Sequence, residues 1–133
     1  MKIFLSYRFT GEDPAELKES LGKILATLRV GNKHEVYCSF EDELWFREKN
    51  RTNKEIMEHA FQKLDNSDLL LAYIKSDEKS EGMLVEIGYV VGKGKPFALA
   101  LKRGVKTTSI QQMANPLIEF DTLDDLCEKL KIF

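Results

Sequence analysis

Cysteine and histidine are scarce in this chain: two of each among 133 residues. Cys38 and Cys127 both stand inside apolar patterns. They read as reduced core thiols of a cytoplasmic protein, not as a disulfide framework. His34 and His59 are too far apart to suggest a zinc site, no ligand spacing exists elsewhere, and no metal or cofactor is expected. Long apolar runs are missing too. Stretches such as Leu69 to Ile74 fall far short of the roughly 20 residues that cross a bilayer, which argues against a membrane. Met1-Lys2 runs straight into an apolar stretch, so no leader is expected. Neither sign of charge dominates: the net charge is −2. A protein that lives on polyanion backbones carries a basic surplus, so a nucleic-acid polymer is disfavoured as partner. A small anion needs only one positive corner. Proline and glycine never cluster into a linker, and there is no repeat or low-complexity segment.

What is present is a full complement of core residues, 43% hydrophobic beside 32% charged, enough for one domain spanning residues 1–133. The apolar patterns alternate in type. Lys2 to Tyr7 reads as strand. Asp13, Pro14 and Glu16 form a D-x-x-E helix start, and Leu17, Leu21, Ile24, Leu25 and Leu28 fall on one stripe that Gly31 ends. His34 to Phe40 reads as a second strand, followed by a polar loop with two aromatics, "EDELWFREKNR". Thr52 and Glu55 mark a second capping box before Ile56, Met57, Ala60, Phe61 and Leu64. Residues 68–74 form a continuous apolar strand, which implies burial on both faces. Ser80 to Gly92 is a mostly apolar helix, and Lys95 to Leu101 a strand. A short helix near residues 109–114, a strand over 117–120 and a helix over 121–131 complete the order. Five βα units predict an α/β three-layer sandwich. Its five-stranded parallel sheet takes the flavodoxin-like order 2-1-3-4-5.

In that order the sheet reverses direction between strands 1 and 3, and ligands bind at the carboxyl ends of the strands beside the reversal. Residues 6–13 and 75–82 therefore matter most. The first loop supplies Ser6, Arg8, Thr10 and Gly11: a guanidinium that forks to a phosphate, two hydroxyl donors, and a glycine that permits close approach. An ordinary turn with an exposed Arg is the alternative. In the second loop Ser80 caps a helix whose first turn holds Gly82, an arrangement that suits an anion or simply a Ser cap. Glu86 is flanked on that helix by Met83, Tyr89 and Val90. A carboxylate there is either solvated in a cleft or paired, with burial raising its pKa, or placed on a narrow solvent stripe. Trp45 and Phe46 either lie over a flat base as a lid or pin their loop to the core. Tyr7 fits a pocket wall or the core.

"SEGMLVEIGYVVGKGKPFALAL" resembles the signature of the nucleoside 2-deoxyribosyltransferase family in its S-x-G-x-x-x-E-x-G form. "FLSYRFTGED" resembles the first loop of that family's phosphate-reading branch, the 2′-deoxynucleoside 5′-monophosphate N-glycosidases, and "SDLLLAYI" its third strand. The resemblance spans most of the chain. It implies N-glycosidic bond cleavage, by hydrolysis or glycosyl transfer, on a nucleoside 5′-monophosphate. Glu86 would be the nucleophile that forms a glycosyl-enzyme ester. Ser6, Arg8, Gly11, Ser80 and Gly82 would hold the phosphate, with Tyr7, Trp45 and Asp68 as base or sugar contacts; a structural cap at the start of strand 3 is the alternative for Asp68. It also implies a homodimer or larger assembly. The chain departs from the family at two positions. Lys2 stands where a Tyr is usual, and Ala60, beside Glu58 and His59, where an Asp is usual on helix 2. Protonation of the leaving base is thus without a residue.

"IFLSYRFTGED" also resembles the opening of a TIR domain. That likeness implies an NAD-cleaving or signalling domain instead. A non-catalytic nucleotide-binding module is the third expectation, because of the two departures.

Overall fold

Five apolar segments pair in parallel in the computed structural model, which describes residues 1–133. They are β1 (Lys2–Ser6), β2 (Glu35–Cys38), β3 (Leu69–Ile74), β4 (Phe97–Lys102) and β5 (Leu117–Phe120). Their order in the sheet is β2-β1-β3-β4-β5, as the alternation of elements predicts. The register aligns Leu5 with Cys38 on one side and Ser6 with Ala72 on the other, so the ends of β1, β2 and β3 open at one edge.

Helices cover both faces. The stripe of α1 (Pro14–Arg29) packs with α6 (Leu123–Leu130) on the face that carries Ile3, Leu5 and Tyr7. Leu17, Leu21, Ile24 and Leu28 are each about 1% exposed there. On the opposite face α3 (Asn53–Asp65) and α4 (Glu81–Gly92) bury Ala60, Leu64, Met83, Ile87 and Val90 against Phe4, Ala72 and Leu99. The short α5 (Ser109–Met113) adds Ile110 to that layer. Alternate residues of β1 thus face opposite layers, which aims Ser6, two residues after Phe4, toward α3 and α4.

Three local expectations are corrected. Strand ends are shorter than expected: Tyr7, His34 and Phe40 lie outside the sheet pairing. At α1 the Asp13 carboxylate accepts from the Ala15 amide at 3.1 Å, but Glu16 does not close a capping box. It pairs with Lys75 at 3.2 Å, because a cation outcompetes a neutral amide for a carboxylate. The box at Thr52–Glu55 does form, with both bonds at 3.1 Å. Residues 41–51, expected as a loop, together with the two residues before them hold a tight turn (Ser39–Asp42) and a helix, α2 (Glu43–Glu48). Phe46 is 5% exposed and anchors it; tertiary packing of one aromatic stabilises a helix too short to persist alone.

Candidate active site

Ser6 is the last residue of β1 and is 1% exposed. Its hydroxyl donates to Oε1 of Glu86 at 2.6 Å, across 80 residues of sequence. Glu86 projects from the middle of α4 and is half-buried. Loss of hydration raises its pKa from 4.5 to about 7, and the Ser6 hydrogen bond opposes the rise. Of the arrangements open to Glu86, the structure holds the paired one. The solvent-facing stripe of α4 is instead apolar: Leu84, Val85 and Val91 are 39%, 44% and 37% exposed.

Ser80 caps α4, its side chain accepting from the Met83 amide at 3.2 Å. In the same first turn, nothing lies within 4 Å of the place a Gly82 side chain would occupy. No packing demand explains the glycine; it leaves the mouth of the helix open.

Arg8 lies in the loop after β1. It pairs with Glu12 at 3.0 Å and with Glu78 of the loop after β3. Gly11 makes the fold of this loop possible. Its φ is +81°, and a Cβ there would stand 2.7 Å from Nη2 of Arg8. Glu12 also meets Lys75 at 3.3 Å, so two cations and three acids, Glu12, Glu16 and Glu78, share the corner. The partners are unequal. Glu12 is 12% exposed and held twice, whereas Glu78 is 72% exposed and held only by Arg8.

Beside this corner opens a cavity of about 340 Å³, walled by Arg8, Lys75, Ser80, Met83, Leu84 and Ile110 among others. Its volume is that of a small-molecule site. Of the residues read from the sequence as an anion site, Arg8 and Ser80 line this cavity; Ser6, Thr10, Gly11 and Gly82 do not, and neither does Glu86. Ser6 and Glu86 meet each other instead.

Tyr7 is 8% exposed, with Phe40 at its edge and its phenol accepting from Ser39 at 3.1 Å. Burial pushes this phenol well above its ordinary range; Ser39 opposes, and the charges of Cys38, Glu43 and Glu86 add to the rise. Trp45 is 38% exposed. Its ring lies 5.5 Å from His59 and 5.4 Å from Phe46, with the Arg51 guanidinium 4.8 Å above it. These contacts tie α2 to α3. Asp68 is not brought to the site. Its carboxylate accepts from the Lys2 amide at 2.8 Å at the amino end of the sheet. The six residues of β3, at about 3.3 Å each, separate it from the carboxyl edge.

The sequence reading missed Glu12, Lys75 and Glu78, the partners that neutralise the corner. The acids flanking both loops, in "TGEDPAE" and "KSDEKSEG", were the available signal. It also missed Glu43. This first residue of α2 is half-buried, and burial raises its carboxyl.

No cluster of three or more His, Cys, Asp or Glu side chains is arranged to hold a metal. No helix is long and apolar enough to cross a membrane.

Residues 6–117 match the family model described as nucleoside 2-deoxyribosyltransferase. No curated protein matches the chain. Among solved structures, the CMP N-glycosidase BcmB of Clostridium botulinum superposes with a TM-score of 0.73 at 18% identity, over 100% of both chains. A 2-deoxyribosyltransferase of Bacillus psychrosaccharolyticus gives 0.64 at 21% identity, over 98% of this chain and 96% of that one. A conserved protein of Enterococcus faecalis gives 0.61 at 16%, over 99% and 98%. At these identities the likenesses establish a shared fold.

Proposed function

The chain belongs to the nucleoside 2-deoxyribosyltransferase family, and we propose that it cleaves the N-glycosidic bond of a nucleoside 5′-monophosphate with Glu86 as nucleophile. Family membership supports nucleoside glycosyl transfer or cleavage. One observation carries the finer assignment: a half-buried carboxyl, fixed by a 2.6 Å hydrogen bond at the carboxyl end of β1, on the helix whose first turn walls the cavity. Glu86 Oε2 attacks the anomeric carbon while the base departs, leaving an ester that water or a second base resolves. Ser6 holds the other oxygen and so orients the attack. Arg8, Gly11, Ser80 and Gly82 form the phosphate end. Arg8 donates a fork, α4 offers its amino terminus, and the two glycines allow approach. There Glu78 occupies Arg8, and a phosphate takes its place.

A second reading draws on that same ion pair. With Arg8 already neutralised by Glu12 and Glu78, an unphosphorylated nucleoside needs no displacement. One panel separates the two. Nucleosides and 5′-monophosphates, ribo and deoxy, are incubated with the protein and free base is followed by chromatography. Release from monophosphates, abolished in Glu86→Ala, supports the proposal; release from nucleosides alone removes the phosphate from it. No release, or equal release by Glu86→Ala, overturns it. The proposed enzyme is cytoplasmic and works as a homodimer or larger assembly, for which light scattering is expected to give at least twice the 15.3 kDa chain mass.

A further inference from the structure

The site described above uses one corner of the cavity and leaves its interior without a role. Arg8 and Ser80 line that interior, but Glu86 does not. The reason lies in α4. Successive residues of a helix turn by about 100°, so Leu84 and Glu86 project on opposite flanks of α4, with Met83 between them facing the core. Leu84 walls the cavity, and Glu86 meets Ser6. The first turn of α4 therefore stands between the carboxyl and the cavity. A pentose with its anomeric carbon at Glu86 and its 5′-phosphate at Arg8 and Ser80 aims that phosphate into the cavity and leaves its base outside.

The space beyond is too large and too apolar for a phosphate. Liquid water takes about 30 Å³ per molecule, so the cavity of about 340 Å³ has room for about ten, where the four oxygens of a phosphate replace about four. Ile74, Met83, Leu84, Val105 and Ile110 form an apolar wall. Such a wall gains nothing from a phosphate and gains much from a flat ring. The remaining walls are charged, with four cations against three acids. Arg8 and Lys75 are engaged with Glu12, Glu16 and Glu78. Lys79 and Lys106, in the loops after β3 and β4, are exposed and form no ion pair. Thr107 is taken up by Gln111 through bonds of 3.0 and 3.2 Å, while the hydroxyls of Thr108 and Ser109 beside it have no protein partner. A phosphate corner, two uncommitted cations, two free hydroxyls and an apolar wall thus share one cavity, on the flank of α4 away from the carboxyl.

The geometry points to a substrate that continues past its 5′-phosphate: a nucleoside 5′-diphosphate esterified to a second nucleoside, an inference that rests on the glycosidic reading of Glu86. The first phosphate meets Arg8 and the amino end of α4. The second meets Lys79 and Lys106, and the second base lies on Leu84 and Ile110. The bond that breaks is still the one at Glu86; the second half of the molecule only binds.

The test compares two substrates built on the nucleoside whose monophosphate the wild type cleaves best: that monophosphate, and the symmetrical dinucleoside 5′,5′-diphosphate. The wild type is expected to show a kcat/KM at least about tenfold higher on the dinucleotide, the order given by one charge-assisted hydrogen bond and well above the statistical factor of about two for its two ends. Leu84→Trp fills the apolar half and Lys106→Ala removes a cation; each is expected to bring the ratio of the two substrates toward one. Lys106 is exposed, so its variant folds even where the larger side chain at position 84 interferes with folding. A monophosphate cleaved as well as the dinucleotide, or a preference that Lys106→Ala and a folded Leu84→Trp both retain, overturns the inference and leaves Glu86 intact. Wild type that cleaves neither substrate, or Glu86→Ala that cleaves both, overturns the glycosidic reading and this inference with it.

Discussion

Replacing Glu86 by glutamine is expected to make the protein more stable and inactive, and the stability gain has a definite pH course. The folded chain holds the Glu86 proton with a pKa of about 7, against an ordinary 4.5. Each tenfold change in proton affinity is worth about 1.4 kcal/mol, so ionising this carboxyl inside the fold costs about 3 kcal/mol. The sign follows from proton binding. Below pH 4.5 the group is protonated in both states and the cost is absent; as pH rises to about 7 the native state keeps its proton longer, and stability falls. Above pH 7 the penalty is constant. Glutamine is nearly isosteric, accepts the Ser6 hydroxyl through its carbonyl oxygen, and never ionises. Glu86→Gln should therefore match wild type near pH 4 and exceed it by about 2–3 kcal/mol at pH 8. Urea unfolding at pH 4, 6 and 8 reads this directly, and the denaturant slope should not change, since no surface is gained or lost. A difference that stays flat with pH refutes the reasoning. So does a glutamine variant that is less stable at pH 8, because Glu86 would then be an ordinary surface carboxylate or one paired with a cation.

Ser6→Ala removes the only group that favours ionised Glu86, so the acid limb of the pH–rate profile, centred near 7 in wild type, should move to higher pH and kcat should fall; an unmoved limb would show that Ser6 does not govern the carboxyl. Glu78→Gln frees Arg8 from its exposed partner and should lower KM for a 5′-monophosphate several-fold while leaving cleavage of the bare nucleoside unchanged; equal effects on both substrates would place the phosphate elsewhere. Gly82→Ala meets open space and gains helix propensity of about 0.5–1 kcal/mol, so it should raise the unfolding midpoint while raising KM for the monophosphate. An unchanged KM would remove Gly82 from the phosphate end.

The order of elements was legible because each signal was local and repeated. The stripe Leu17–Leu28 announces one helix, and the unbroken run Leu69–Ile74 announces a strand buried on both faces; parallel strands with right-handed crossovers then leave few sheets to choose from. Helix α2 was not legible. Its six residues sit in what reads as a polar loop with two aromatics, and what makes them helical is Phe46 entering the core, a contact written elsewhere in the chain. The acidic partners of Arg8 escaped for a similar reason. Glu12 and Glu78 are ordinary loop residues until the sheet places the loops after β1 and β3 side by side.

Ser6 shows where the sequence pattern and the fold part. By type it belongs with Arg8 and Gly11 as a phosphate donor. By position it ends β1 on the same face as Phe4, turned into the layer of α3 and α4, and there it donates to Glu86 at 2.6 Å. A serine hydroxyl has one proton to donate, and a half-buried carboxylate has the stronger claim on it. While that bond stands, the phosphate end must be made from Arg8, the amino end of α4 and whatever room Glu78 gives up. The two ends of the site are then chemically separate: Ser6 sets the charge on Glu86, and Glu78 sets access to Arg8. Variants at Ser6 should act mainly through kcat and its pH dependence, and variants at Glu78 through KM. A combined Ser6→Ala, Glu78→Gln variant should show both effects at full size, since independent sites add. If instead the loss of Ser6 also weakened binding of the monophosphate, the hydroxyl would be turning from carboxyl to phosphate in the complex, and the two ends would be one.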